Sequence, residues 1–366
     1  MSKPARLPNY WEYIRVEELL ALQGGLDGDE GAMENDEVLF VTVHQIFELW
    51  FKLVLRELKS GRDLLRRPLA EEDLSGVVDG ARRATVVLHH AVSHFEVVET
   101  LKTAGYLRFR DKLMPASGFQ SAQMRQIEIL MGLDQDERIP LGTEGSFMQA
   151  LRSHDGGESS ALRRVQAQID DGPTLKDALY DWLWRTPIDG CGPDDPEADA
   201  ALDRFVVAYS RAHASEVDRS ERLALERTHS AEEGAKLRAR YAAERQALTD
   251  HLAADGNPRD RRIRAALLFI LGNARLPLLA WPNALLEAIT ALEQAFIVFR
   301  QRHARMVERV IGRRTGTGGS SGVDYLDQTA LRYRVFTDLW AARTYQIRPE
   351  AMPELTRPEF YEFATG

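Results

Sequence analysis

The feature that most constrains this chain is a helical stripe with a histidine on it. Ile289, Leu292, Phe296, Phe299, Met306 and Val310 recur at alternating steps of three and four, which places them on one helix face. His303 occupies the vacant step on that stripe. Gly312 then stops the helix, ahead of a glycine- and serine-rich run at 317–322. So broad an apolar face has to be covered by other elements, so the chain must build its core around this helix. A lone histidine on such a face has two readings. It is a hydrogen-bonded core residue, or it is an axial ligand, because neutral imidazole on a rigid helix is a common protein donor to iron.

The same pattern occurs near the N-terminus. Over about 36–60, Phe40, His44, Phe47, Phe51, Val54 and Leu58 share a face, with Gly61 near the expected end. Asn35 is the expected N-cap, and Asp36 and Glu37 suit the positive end of the helix dipole. Before it, residues 1–9 are expected as a loose tail, 10–22 as a short helix ending at Gly24-Gly25, and 24–34 as loop. After it, 70–103 has helical period. The next segment breaks at Pro115 and Gly118 and resumes as helix near Gln120, and 133–160 is an acid- and glycine-rich connection. Leu175–Thr186 is expected as helix and 187–197 as loop. Residues 198–253 are expected as a charge-laced helical hairpin and Arg262–Leu276 as a buried helix ending before Pro277. The stripe helix is expected to begin after Pro282, and Tyr325–Tyr345 to be a helical tail. No β alternation and no fixed-period repeat occurs, so the fold class expected is all-α.

Composition excludes several function classes. The net charge of −9 argues against general affinity for nucleic acid. A single cysteine, Cys191, excludes a disulfide framework and any multi-cysteine metal site. The N-terminal sequence has no apolar signal core and no run of about 18 apolar residues stands out, so a cytoplasmic protein without a membrane span is expected. His90 and His94 lie four apart, but no glutamate completes a zinc-protease pattern. The TGTGGSSG run could cradle an anion through backbone N–H groups or serve as a flexible linker. Arg110 in YLRFR reads by default as a surface arginine.

Three separated segments carry a resemblance. HQIFELWFKL at 44–53, ETLKTAGYLRFRDKLMPASGFQSAQMRQIE at 99–128 and RHARMVERVIGRRTGTGGSSGVDYL at 302–326 resemble the tryptophan 2,3-dioxygenase family, in order and over most of the chain. The resemblance implies one all-helical domain over 1–366, with 10–34 as a lid region and 198–253 as a hairpin insertion. It implies a haem b pocket between helices and a homotetramer. His303 corresponds to the proximal iron ligand, His44 to the distal histidine near the indole N–H, and Phe40 to the aromatic residue against the indole. Arg110 matches the arginine that pairs with the substrate carboxylate, with Tyr106 at the aromatic position beside it. Thr317 matches the threonine at the substrate's amino-acid end, and Ser117 and Gly118 match distal-pocket residues. Tyr10 and Tyr13 match residues that a neighbouring subunit contributes over the site.

The activity implied is haem-dependent insertion of O₂ across the indole C2–C3 bond of L-tryptophan, giving N-formylkynurenine in tryptophan catabolism by the kynurenine pathway. Three positions depart from the family: Asn35 stands for its histidine before Asp36-Glu37, Phe299 for its tryptophan near the haem edge, and Trp11-Glu12 for its glycine-containing turn. These departures keep open a monooxygenase of the same fold acting on tryptophan or a substituted (for example β-methyl) tryptophan to give an oxindole-type product. A non-catalytic haem sensor is a third reading, against which Arg110 and Thr317 speak, since a gas sensor needs no amino-acid clamp.

Overall fold

The computed structural model describes residues 9–113, 120–139, 147–153, 156–314 and 322–363. Among the described residues all regular structure is helical apart from one isolated bridge, Ile188 to Cys191, so the all-α expectation holds.

The segment expected as one helix over 10–22 is two short ones, α1 (Tyr10–Tyr13) and α2 (Val16–Leu20), separated by Arg15 at φ 54° in the left-handed region. Asn9 and Glu12 cap α1 reciprocally, yet neither helix buries a residue. The long helix α3 (Asn35–Leu65) is capped by Glu34, not by Asn35, and without a side-chain cap bond. Gly61 does not end it. A Cβ there would stand 3.3 Å from Val77 Cγ1, so the bare glycine lets the next helix lie close.

The helix expected over 70–103 is α4 (Glu71–Val98), which ends a few residues early, and α5 (Thr103–Phe109) follows it. A 3₁₀ turn, Arg110–Leu113, continues α5. Helix α6 (Ala122–Met131) starts under a Ser121 cap and ends at Gly132, whose φ is 112°. The expected connection contains α7 (Phe147–Ala150), and α8 (Ser160–Asp170) was not anticipated. Only Val165 and Gln168 are buried in α8, too thin an apolar period to read from sequence.

Helix α9 (Leu175–Arg185) carries a Thr174/Asp177 capping box, and α10 (Ala198–Leu225) and α11 (Ala231–Ala253) form the expected hairpin. Helix α12 (Pro258–Gly272) begins under Asn257 with proline in the first helical position. The stripe helix, α13 (Ala280–Ile311), starts before Pro282 rather than after it. Proline is tolerated there because first-turn N–H groups have no intrahelical acceptor. The tail is two helices, α14 (Val323–Arg332) and α15 (Thr337–Thr344), not one. Between them the buried Glu293 carboxylate of α13 accepts the backbone N–H groups of Val335 and Phe336.

Helix α4 packs on both α3 and α13 and forms the middle of the core. By length and composition α3 could cross a membrane; in this fold its stripe of Val43, Phe47, Phe51, Val54 and Leu58 joins the core. A cavity is lined by residues of α3, α4, α5, α6, α13 and α14.

Candidate functional site

Two adjoining hollows of about 220 and 390 Å³ share His44, Glu48, Tyr106, Ser121, His303 and Met306 in their walls. The two apolar stripes that each carry a histidine therefore face one cavity. His303 enters from α13, and His44 from α3.

The His303 ring packs against two phenyl rings that also touch each other at 5.1 Å. Phe95 stacks on it at 5.6 Å with an interplanar angle of 14°, and Phe299 lies at 6.2 Å and 28°. Burial among these rings lowers its pKa to about 4, with the nearby His44 and Arg125 acting in the same direction. The imidazole is thus neutral at physiological pH, the form that donates a lone pair to a metal. Phe299 is itself buried and packs edge-on to Phe47 and Phe51, at 6.1 and 5.6 Å. A phenyl ring fits this apolar nest without needing a hydrogen-bond partner, which an indole N–H would require.

His44 is exposed in the wall of both hollows. Its Nδ1 lies 2.7 Å from the Phe40 carbonyl oxygen. A carbonyl oxygen only accepts, so Nδ1 carries the proton and Nε2 presents a lone pair. Desolvation lowers the His44 pKa, opposed by the Phe40 carbonyl and by Glu48. The Phe40 ring lies 4.0 Å from the His44 ring and meets Tyr106 and Phe109 at 6.1 and 5.6 Å. Tyr106 reaches both hollows, and burial raises its pKa. Arg110 stands one helical turn beyond Tyr106 and hydrogen-bonds to it.

The other expected residues fall differently. Thr317, Ser117 and Gly118 lie outside the described residues. Tyr10 and Tyr13 are 75% and 77% exposed and belong to neither hollow, so a single chain does not bring them to the cavity.

The site also holds a charged cluster that sequence reasoning did not single out. Glu128 of α6 is 2% exposed and accepts from Arg125 at 2.9 Å, Arg138 at 2.7 Å and Arg300 at 3.1 Å. Burial pushes its carboxyl pKa up, but the three guanidinium groups more than reverse this and hold it at about 2. The Arg300 guanidinium also covers the Phe296 ring at 4.4 Å and the Tyr333 ring at 5.0 Å. One signal was available: Arg300 directly follows the apolar run AFIVF, four residues after Phe296 on the buried stripe, and a buried charge needs a partner.

Among the described residues three positive charges meet one negative here, beside a cavity whose wall includes Arg125 and Arg300. Arg125 Nε is buried and has no partner among the described residues. An apolar cavity with a neutral imidazole on one helix and guanidinium charge at its edge fits a flat, iron-holding macrocycle that carries two carboxylates.

A sequence model of the tryptophan 2,3-dioxygenase family matches residues 5–346. The tryptophan 2,3-dioxygenase of Sorangium cellulosum (strain So ce56) is 51% identical over 364 residues, covering 97% of this chain and 87% of that protein. Tryptophan 2,3-dioxygenase 2 of Ralstonia nicotianae is 50% identical over 365 residues, covering 97% and 98%. A tryptophan 2,3-dioxygenase-like protein of Xanthomonas campestris is 50% identical over 266 residues, covering 70% of this chain and 96% of its own length. On this coverage and identity, the chain belongs to the tryptophan 2,3-dioxygenase family.

Proposed function

We propose that this protein is a haem-dependent dioxygenase that converts L-tryptophan and O₂ to N-formylkynurenine. The observation that carries the reading is the pair of stripe histidines facing one cavity, one held neutral by burial against phenyl rings and the other presenting a lone pair. In this reading His303 holds haem iron, with Phe299 packing beside it, and Arg125 and Arg300 supply positive charge for the two propionates. Ferrous haem bound there supplies the O₂ chemistry. The protein's own residues bind and orient the amino acid. His44 Nε2 accepts a hydrogen bond from the indole N–H, while its Nδ1–H keeps donating to the Phe40 carbonyl oxygen. Phe40 gives the indole an apolar wall.

Arg110 binds the substrate carboxylate through two parallel hydrogen bonds. Thr317 joins it at the amino-acid end, Ser117 and Gly118 line the distal side, and Tyr10 and Tyr13 cover the site of a neighbouring copy in a homotetramer. The whole of 1–366 acts as one unit, with 10–34 as lid and 198–253 as an appended hairpin, in the cytoplasm.

The reaction is tested by product mass. Haem-loaded ferrous protein given L-tryptophan and ¹⁸O₂ should form N-formylkynurenine carrying both labelled atoms. A product with one labelled atom would overturn the dioxygenase reading. Substrate recognition is tested at Arg110. Arg110→Lys keeps the charge and loses the planar fork, so KM for L-tryptophan should rise about tenfold or more. Tryptamine, which lacks the carboxylate, should be a poor substrate whose KM is indifferent to the change. Equal losses on both substrates would remove Arg110 from the carboxylate.

A further inference from the structure

Arg110 sits where α5 passes into the 3₁₀ turn, and the residues two before and two after it are both tied to the start of α3. Arg108 Nη1 lies 3.0 Å from Glu34 Oε2, and Lys112 Nζ lies 2.7 Å from Glu37 Oε2. Residues four apart share a helix face and residues two apart do not. Arg108 and Lys112 both reach the acidic start of α3, while Tyr106 lines the cavity and Arg110 hydrogen-bonds to it.

The fit between the two elements is tight. A Cβ built on Gly105 would stand 2.0 Å from Asp36 Oδ2, so any larger residue there would make the Asp36 side chain turn aside. Below the charges, Phe40, Tyr106 and Phe109 pack ring against ring. At the other end Thr103 Oγ1 donates to the Val310 carbonyl of α13 at 2.8 Å. The α5 segment is thus strung between the helix that carries His44 and the helix that carries His303. Glu37 is the buried member of the clasp at 8% exposure, whereas the Lys112 side chain is 59% exposed.

We propose that Glu37 and Lys112, with Glu34 and Arg108 as an outer pair, are positioning residues that set where the Arg110 guanidinium stands and hence how tightly the amino-acid end of the substrate is held. The inference rests on the reading that Arg110 takes the substrate carboxylate. It assigns to the acidic first turn of α3 a task beyond satisfying the helix dipole.

The test uses full-length haem-loaded protein with L-tryptophan and tryptamine as paired substrates. Lys112→Gln changes an exposed side chain and leaves the core intact. It should raise KM for L-tryptophan about threefold, with kcat nearly unchanged, a size in keeping with the modest strength of a half-exposed ion pair. KM for tryptamine and the haem absorption bands should not move. Lys112→Arg, which can rebuild the pair, should restore the wild-type KM. Glu37→Gln should give the same KM change, and the double variant no more than either single one, because both remove one interaction.

Wild-type KM in Lys112→Gln would overturn the proposal, as would equal losses on the two substrates, failure of Lys112→Arg to recover, or additive effects. Arg110→Lys separates this from failure of the underlying reading. If Arg110→Lys also leaves KM for L-tryptophan unchanged, the carboxylate assignment falls. If it raises KM while Lys112→Gln does not, only the positioning role falls.

Discussion

His303→Ala should yield a folded protein that no longer retains haem, with activity lost. The substitution removes one ring from a position that already borders the cavity, and the buried stripe on either side, Phe296, Phe299, Met306 and Val310, stays intact to hold α13 in the core. The helical content should therefore survive. His44 approaches the cavity from α3, not from α13, and in the proposed reading its Nε2 takes the indole N–H rather than iron. Added imidazole should enter the vacated space and partly restore haem binding, because it replaces the missing donor. Haem-to-protein ratio and the Soret band of purified protein check the prediction, with His44→Ala as the contrast that should keep haem. A His303→Ala protein with full haem content and the wild-type spectrum would show that the iron is held elsewhere.

The second large effect belongs to Glu128. Its carboxylate is the sole negative charge facing Arg125, Arg138 and Arg300 in the contacts described above. Glu128→Gln keeps the shape but leaves three guanidinium groups close together in a buried region without a counter-charge. Breaking a buried ion pair from one side costs on the order of 3–5 kcal/mol, and this cluster should lose at least that from its unfolding free energy. The pH dependence carries a sign. The folded-state pKa of about 2 lies below the ordinary 4.5, so the wild-type advantage is full above pH 4.5 and shrinks as pH falls toward 2. Denaturant unfolding of both proteins across that range should show the two stabilities converging in acid. A variant equal to wild type at neutral pH would mean that the arginines are compensated by something other than Glu128.

How much of this was legible in the sequence depends on whether a feature is local. The steps of three and four that put His303 and His44 on apolar faces are properties of short segments, and both faces are buried largely as the periodicity requires. The α10–α11 hairpin was legible for the same reason. Boundaries were less so. Asn35 has the right side chain for a cap, yet Glu34 occupies that position, and Pro282 lies inside the first turn it was expected to precede. Helix α8 escaped because few of its residues meet the core.

By itself the sequence determined the all-α class, the two histidine-bearing stripes and, through three separated segments, the family. Only the tertiary structure decided that the two stripes face a single cavity, that Arg300 meets Glu128 from 172 residues away, and that Lys112 reaches Glu37 across 75. Periodicity is written in neighbouring residues because a helix repeats every 3.6 of them. The partner of a buried charge is chosen by which helices pack together, and no local pattern records that choice.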